Sequence, residues 1–332
     1  MNQQKWTPGS LLELSGSYWR ACALHTAVEL ACFSVISGDG MTDKEIAHRI
    51  GGDRRAVETL LNALVAMGLL VKMQNNGYQN TAFSTKYLSR SSSHYIGHII
   101  SHHHHLVESW ARLDESVMTG QPVRERSSHG DEKARESFLM GMFNLAMAIA
   151  PDLVKQIDLA NRVRLLDLGG GPGTYAVHFC LHNPKLQAVV FDLPDSRSFA
   201  ENVIARFGLS DRIAFQGGDF LSDGIDGKFD AAWLSHILHG EGPEGCRQIM
   251  EKAAAALEPG GLILIHEFIL NDTMDGPLFP ALFSLNMLLG TPNGRSYSEA
   301  QLMRMLKSAG FRDIQRLPFS GPNDSGIIAG IR

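Results

Sequence analysis

"RVRLLDLGGGPG", residues 162–173, is the stretch from which the fold follows. An apolar run of strand length leads into a loop with glycine at 169, 171 and 173, and a helical pattern comes after it. Strand, glycine turn and helix form a βα unit whose backbone lets a ligand approach closely. A dinucleotide fingerprint spaces its glycines as G-x-G-x-x-G, so that a pyrophosphate rests on the helix N-terminus. Here the glycines alternate, and Asp167 stands just before them. A carboxylate at that place repels a pyrophosphate and suits a ligand with an ammonium or sulfonium group.

Downstream the same grammar repeats. "QAVVFDLP", "IAFQGGDF", "FDAAWLSHIL" and "GGLILIHEFIL" read as strands, with helical segments over 173–182, 196–207, 243–257 and 298–309. Strands alternating with helices predict an α/β, doubly wound, Rossmann-like sheet with helices on both faces. "FRDIQRLPF" and "SGIIAGIR" have only a short loop between them, which predicts an antiparallel pair with an antiparallel last strand at the sheet edge.

Upstream the texture is helical. In "MTDKEIAHRIGGDRRAVETLLNALVAMGLL" Thr42 and Glu45 form a capping-box pattern, Gly51 and Gly52 end a short helix, and Asp53 caps a second. "LLVKMQNNGYQNTAF" then turns at Asn76-Gly77, a hairpin signal. Helix, turn, helix and a two-stranded wing make a winged helix. The expected division is a winged-helix dimerisation domain over 1–95, linking helices contributing to a substrate pocket over 96–160, and a cofactor-binding catalytic domain over 161–332.

The 332 residues suffice for two cores, and the net charge of −5 offers no general attraction to nucleic acid or anionic membrane. Neither a signal-peptide pattern nor a run of membrane-spanning length is present, so a cytoplasmic location is expected. Cys22, Cys32, Cys180 and Cys246 lack metal-type spacing and read as free thiols. No metal is expected.

Three strand ends carry acids. Asp192, followed by Leu193, can accept from ribose hydroxyls in either cofactor class. Asp219 can accept from an adenine amino group while Phe220 packs on the base. With Asp167, Gly169 and Gly171, these positions fit S-adenosylmethionine, with S-adenosylhomocysteine as product, better than a nicotinamide dinucleotide.

With these motifs in place, the chain resembles the S-adenosylmethionine-dependent O-methyltransferases of the plant caffeate and hydroxyindole type, in their bacterial small-molecule branch. "DLGGGPG", "FDLP", "GGDF" and "LEPGG" stand in the family's order. The resemblance implies a homodimer, a small-molecule acceptor, and a winged helix that dimerises instead of binding DNA. It implies that His239 in "ILHGEG" is the catalytic base, that Glu267 in "LIHEFIL" is the acid beside it, and that Ser235 contacts the cofactor. It implies an acceptor pocket lined by Phe143, Asn144 and Met147 of an FNxxM motif, and by Met287. His236 is expected to be structural. Two departures stand out. The family's Asp-Trp after the histidine is Gly240-Glu241, and its second flanking acid is Ser296. A less tightly clamped base, in a loop loosened by Gly240, Gly242 and Gly245, is therefore expected.

The expected reaction is O-methylation of an aromatic or polyketide-like hydroxyl. Carbon or nitrogen methylation, or a non-methylating enzyme on the same fold, is the alternative. A DNA-binding regulator is a third class. Residues 41–90 hold seven Lys/Arg against four Asp/Glu, but the second helix of the winged motif is mostly apolar, which suits a dimer better than a groove. The run "HHHH" at 102–105 points in four directions on a helix and is read as surface or pocket lining.

Overall fold

The structure is a computed structural model that describes residues 5–38, 40–74, 76–129 and 132–332. The chain divides into two compact units, the first ending at Val107 and the second spanning Glu108–Arg332. The cut lies inside the helix Gly97–Trp110, so the segment expected as linking helices is shared between the units.

The first unit contains the winged motif. Thr42 and Glu45 close the expected capping box, with the Thr42 N–H donating to Glu45 Oε2 at 2.8 Å. Gly51 ends the helix Asp43–Ile50 in the left-handed conformation that its φ of 69° requires. Asp53 caps the helix Arg54–Ala66 through the Ala56 N–H at 2.9 Å. Strands β1 (Leu70–Lys72) and β2 (Tyr78–Asn80) pair antiparallel around the turn. Val57, Leu61 and Leu64 recur at helical spacing and are all buried within this unit. That corrects the expectation that this apolar face is kept for a dimer. Exposed apolar side chains lie elsewhere in the unit, on its first two helices and at Val71 and Phe83. Leu12 is 73% exposed and Trp19 69%, and the helix Pro8–Gly16 buries none of its residues. In the histidine run, His102 is buried while His103 and His104 are exposed.

The second unit is built on a sheet of eight strands: β3 (Arg164–Leu168), β4 (Gln187–Asp192), β5 (Ile213–Gly217), β6 (Phe229–Ser235), β7 (Leu257–Leu270), β8 (Tyr297–Ser298), β9 (Arg312–Arg316) and β10 (Ser325–Ile331). The order is β5-β4-β3-β6-β7-β10-β9, with β8 beside the end of β7. Strands β3 to β7 are mutually parallel, and β10 runs antiparallel between β7 and β9. Two apolar layers sandwich this sheet, one with Trp233, Phe179 and Ile204, the other with Phe191, Leu234 and Ile249. Burial on both faces explains why the central strands read as continuous apolar runs. Strand order reverses between β3 and β6, and the crevice outside their carboxyl ends is where ligands of open α/β sheets bind. Among the described residues no single helix is long and apolar enough to cross a membrane.

Candidate active site

The glycine loop follows β3. Gly169, Gly171 and Gly173 all take positive φ, at 68°, 51° and 73°. Only glycine adopts such angles without strain, so the alternating pattern has a backbone cause. A Cβ at Gly169 would also meet Ile237 at 2.5 Å. Asp167 is 1% exposed, and its Oδ2 accepts from the Ala176 N–H at 3.2 Å, beneath the loop. Burial raises its carboxyl to about 7, against the Ala176 N–H and with the help of Asp192. Thus Asp167, expected as a cofactor contact, braces the loop from below through the Ala176 N–H. Its side chain points into the buried turn between the strand and the helix Thr174–His182.

Asp192 ends β4. Its Oδ2 accepts from the Gly171 N–H at 2.7 Å, and its Oδ1 accepts from the Leu193 N–H at 2.7 Å and Ser196 Oγ at 2.8 Å. Burial pushes this carboxyl up, and those three donors oppose it. Each carboxylate oxygen has two lone pairs, so acceptor capacity remains for a ligand. Asp219 lies in the loop beyond β5, its Oδ1 bonded to the Leu221 N–H at 2.8 Å, and Phe220 packs on the core beneath it. Ser235 ends β6, with Oγ 3.0 Å from His266 Nδ1.

The first turn beyond β6 carries His236 and His239. Glu267, on β7, is 2% exposed and organises that turn. Its Oε1 accepts from the Leu238 N–H at 2.9 Å and the His239 N–H at 3.3 Å. Its Oε2 is bonded to His239 Nδ1 at 2.8 Å and accepts from the Phe268 N–H at 3.3 Å. Burial alone would raise the Glu267 carboxyl, but the His239 and His236 imidazoles outweigh it and hold the group well below the usual carboxylate range. An ionised carboxylate only accepts. The proton of neutral His239 therefore sits on Nδ1, and Nε2 presents a bare lone pair.

His236 Nδ1 lies 3.6 Å from Glu267 Oε2, beyond hydrogen-bond reach, and burial lowers its pKa. Its φ is 57°, an uncommon value for a non-glycine residue. Its ring lies tilted against Phe268 at 4.2 Å and His266 at 4.4 Å between centroids. The donor atoms of His236, His239 and Glu267 lie within 4.8 Å of one another, a set of cation-ligating type. Hydrogen bonds already occupy both carboxylate oxygens, however.

The histidine loop is held firmly, contrary to the expectation of a loose clamp. Arg126 Nη1 pairs with Glu241 Oε1 at 2.6 Å, and Nη2 donates to the Gly240 carbonyl at 2.9 Å. Tyr297 Oη donates to the Glu241 carbonyl at 2.5 Å. Glu241, one of the two departures, is thus an anchor of the loop. Ser296, the other departure, is 1% exposed and donates to the Pro280 carbonyl at 2.9 Å, which ties it to the helix Leu278–Gly290. That helix carries Met287, 8% exposed, and presents Phe283 edge-on to His239 with ring centroids 4.7 Å apart. Phe268, Phe279 and Phe283 form an aromatic wall with centroids 4.9 to 5.8 Å apart.

Phe143 and Met147 occupy the other layer. They pack with Tyr175 and Phe179 in the core, where Met147 Sδ meets His178 Nε2 at 3.2 Å. Their helix, Glu132–Met147, carries Asn144 as well and brings Leu139 to the glycine loop. These three positions thus share a helix with a residue that touches the glycine loop. The aromatic wall, Arg126, Tyr297 and the buried His266 were not singled out in the sequence. Phe279 and Phe283, spaced four apart on an apolar helix, carried the signal that could have found the wall.

The O-methyltransferase domain model matches residues 118–312, and the O-methyltransferase dimerisation domain model matches residues 12–90. The chain is 32% identical to 3-hydroxy-5-methyl-1-naphthoate 3-O-methyltransferase of Streptomyces sahachiroi, over 98% of this chain and 95% of that protein. It is 31% identical to the tetracenomycin polyketide synthesis 8-O-methyl transferase of Streptomyces glaucescens, over 96% of each. Human N-acetylserotonin methyltransferase in complex with SAM superposes with a TM-score of 0.85 and 25% identity, covering 100% of this chain and 99% of that one.

Proposed function

This chain belongs to the O-methyltransferase family, and from that premise we propose that it methylates a hydroxyl on a small aromatic, polyketide-like acceptor, with S-adenosylmethionine as donor and His239 as general base. One observation carries the reading: Glu267 holds His239 by Nδ1, so Nε2 is free to accept a proton. The names of the two Streptomyces relatives, a naphthoate and a polyketide O-methyltransferase, support the acceptor class.

The residues around the glycine loop fit the donor. Gly171 leaves its outer face open but for Leu139 at 3.8 Å, and the acids Asp192 and Asp219 stand at two successive strand ends. They would hold the ribose and the adenine, while Ser235 and the loop N–H groups would hold the rest. When bound, the donor supplies a methyl group already activated by a sulfonium.

The chain's own residues do four things. The aromatic wall packs on a flat acceptor and excludes water. His239 Nε2 takes the phenolic proton as the new bond forms, since a phenol of pKa about 10 arrives neutral at physiological pH. Glu267 fixes the tautomer and stabilises the imidazolium that results, the part the aspartate plays in a serine-protease triad. The Arg126–Glu241 pair keeps the loop in register, because a misplacement of about 1 Å can cost a hundredfold in rate.

The test is a panel of hydroxylated naphthalenes and anthraquinones with isotopically labelled donor, read by mass spectrometry and with the methylated atom assigned by NMR. Methyl on oxygen is the expected result. Label on carbon or nitrogen, or none on any acceptor, would replace this reading. The dimerisation domain and the exposed apolar helices of the first unit support a homodimer.

A further inference from the structure

His236 stands beside the base and shares its carboxylate. Its Nδ1 lies 3.6 Å from Glu267 Oε2, the oxygen that His239 Nδ1 meets at 2.8 Å. That His236 nitrogen is enclosed and has no hydrogen-bond partner among the described residues. Burial lowers the pKa of the ring and favours its neutral form. An ionised carboxylate repels a bare lone pair, so the proton of neutral His236 sits on Nδ1 and Nε2 carries the lone pair. The side chain is nevertheless 22% exposed. Its accessible surface therefore lies away from Nδ1, and Nε2 is the polar atom on that side. The ring rests on Phe268, which joins Phe279 and Phe283 in the aromatic wall. His236 and His239 thus present two accepting imidazoles along one wall.

The turn does not by itself call for a histidine. A φ of 57° suits glycine or asparagine at least as well. The bond from the His236 N–H to the His266 carbonyl, at 2.8 Å, belongs to the backbone. The slot between Phe268 and His266 would take any flat ring. What only histidine brings is the second ring nitrogen. The donor atoms of His236, His239 and Glu267 lie within 4.8 Å of one another, whereas the two imidazole centres stand 6.1 Å apart. The rings therefore splay away from the carboxylate they share. Hydroxyls on neighbouring carbons have oxygens almost in contact, too close to bridge such a pair. Hydroxyls one carbon further apart fit, with one hydrogen bond at each end.

We propose that His236 binds the acceptor: its Nε2 accepts from a second hydroxyl, meta to the one that is methylated, and the acceptor is a 1,3-dihydroxyaryl compound. This rests on the reading of the chain as an aromatic O-methyltransferase with His239 as base. It adds a second polar contact and the substitution pattern that contact selects. Methylation turns a hydroxyl into an ether, which no longer donates. A product that re-entered with its remaining hydroxyl at His239 would set that ether against the bare Nε2 lone pair of His236. The enzyme therefore adds one methyl group to each such ring.

The experiment compares 1,3-dihydroxynaphthalene with 1-naphthol, which lacks the second hydroxyl, and with 3-methoxy-1-naphthol, whose second oxygen cannot donate. Wild type should use the diol with a kcat/KM at least about fivefold above either, and should release the monomethyl ether. His236→Asn tolerates the left-handed backbone but does not reach the place of Nε2, whereas His236→Gln reaches it. KM for the diol should rise about 3- to 10-fold in His236→Asn, the range for one neutral hydrogen bond, with KM for 1-naphthol within about twofold. His236→Gln should hold the diol more tightly than His236→Asn. A purely structural role reverses that order, because asparagine suits the turn better. Calorimetric titration of the diol and of 1-naphthol into each variant reads the same difference without turnover. Wild type that uses 1-naphthol or the ether as well as the diol would overturn the second contact and leave the methyltransferase reading standing. So would a His236→Asn variant that loses all three acceptors equally, or one that outperforms His236→Gln on the diol. Methylation of none of the three, nor of any other hydroxyaryl acceptor, would remove the reading on which this proposal rests.

Discussion

At the scale of single residues, the two acids at the glycine loop separate by environment. Asp167 is enclosed and its carboxyl is raised to about 7. The folded state then holds a proton that the unfolded chain releases near pH 4, so the stability from this group is complete below pH 4 and is lost as pH rises towards 7. Asp167→Asn should remove that loss. The Tm of the variant, relative to wild type without ligand, should climb between pH 5 and pH 8, with an upper limit of about 4 kcal/mol at the alkaline end. A difference that stays flat across that range would show that Asp167 is not the buried acid described. Asp192 faces the opposite way. It holds the loop through the Gly171 N–H, and on the proposal that it also holds the donor, Asp192→Ala should weaken donor binding by roughly 1.5–3 kcal/mol per lost charge-assisted bond. Titration calorimetry with S-adenosylhomocysteine measures it, and unchanged affinity would move the donor elsewhere. Activity should also be indifferent to EDTA, because the Glu267 oxygens are committed to N–H donors. Chelation that abolishes turnover would make His236, His239 and Glu267 a metal site.

Elements show how a local pattern becomes a positioned group. The glycine loop is set by three positive φ angles, and at Gly169 by the nearness of Ile237, which belongs to the histidine loop. Gly169→Ala therefore strains the backbone and pushes on the neighbouring turn. It should lower stability by about 1–3 kcal/mol and lower donor affinity and turnover together. Chemical denaturation and steady-state kinetics read both, and wild-type values in each would deny the coupling of the two loops. On the histidine loop, Arg126→Ala removes the partner of a mostly buried carboxylate. Turnover should fall about tenfold or more with little change in KM, and Glu241→Gln should soften the loss by removing the stranded charge. If instead KM rises and kcat holds, the pair serves binding and not the placement of His239. The glycines at 240, 242 and 245 had suggested a loose loop. Composition is a poor guide here, because the ties come from Arg126 and Tyr297, more than 50 residues away in either direction.

For the molecule as a whole, exposed Leu12, Trp19 and their neighbours on the first two helices form an apolar surface on a helix pair that buries little of its own. A homodimer through this surface should bury on the order of 2,000 Å² or more. Light scattering should find a dimer at micromolar concentration, and Leu12→Asp with Trp19→Asp should shift it to monomer. A wild-type monomer would contradict that arrangement. At this scale the fold was largely legible. Strand runs buried on both faces, helices with capping boxes and an antiparallel final pair all follow from local periodicity and turn chemistry, and the sheet order agrees with them. The glycines were legible because their motif is short and local, and the His239–Glu267 pair because the family resemblance implied it. The aromatic wall, the Arg126–Glu241 pair and the depth of Asp167 were not. Each depends on which residues distant in sequence meet, and apolar or charged residues on a helix or in a loop have too many uses for spacing alone to choose among them.

The central claim is that His239 Nε2 removes the acceptor proton. The direct measurement is the pH profile of kcat for His239→Ala beside wild type, on one phenolic acceptor at saturating donor. At pH 7 the variant should turn over about 10²–10⁴-fold more slowly with donor affinity nearly intact. Its rate should then climb close to tenfold per pH unit towards the acceptor's own pKa near 10, since a phenolate needs no base. A variant that matches wild type at pH 7, or one that is slow and stays flat up to pH 10, would contradict proton removal by His239.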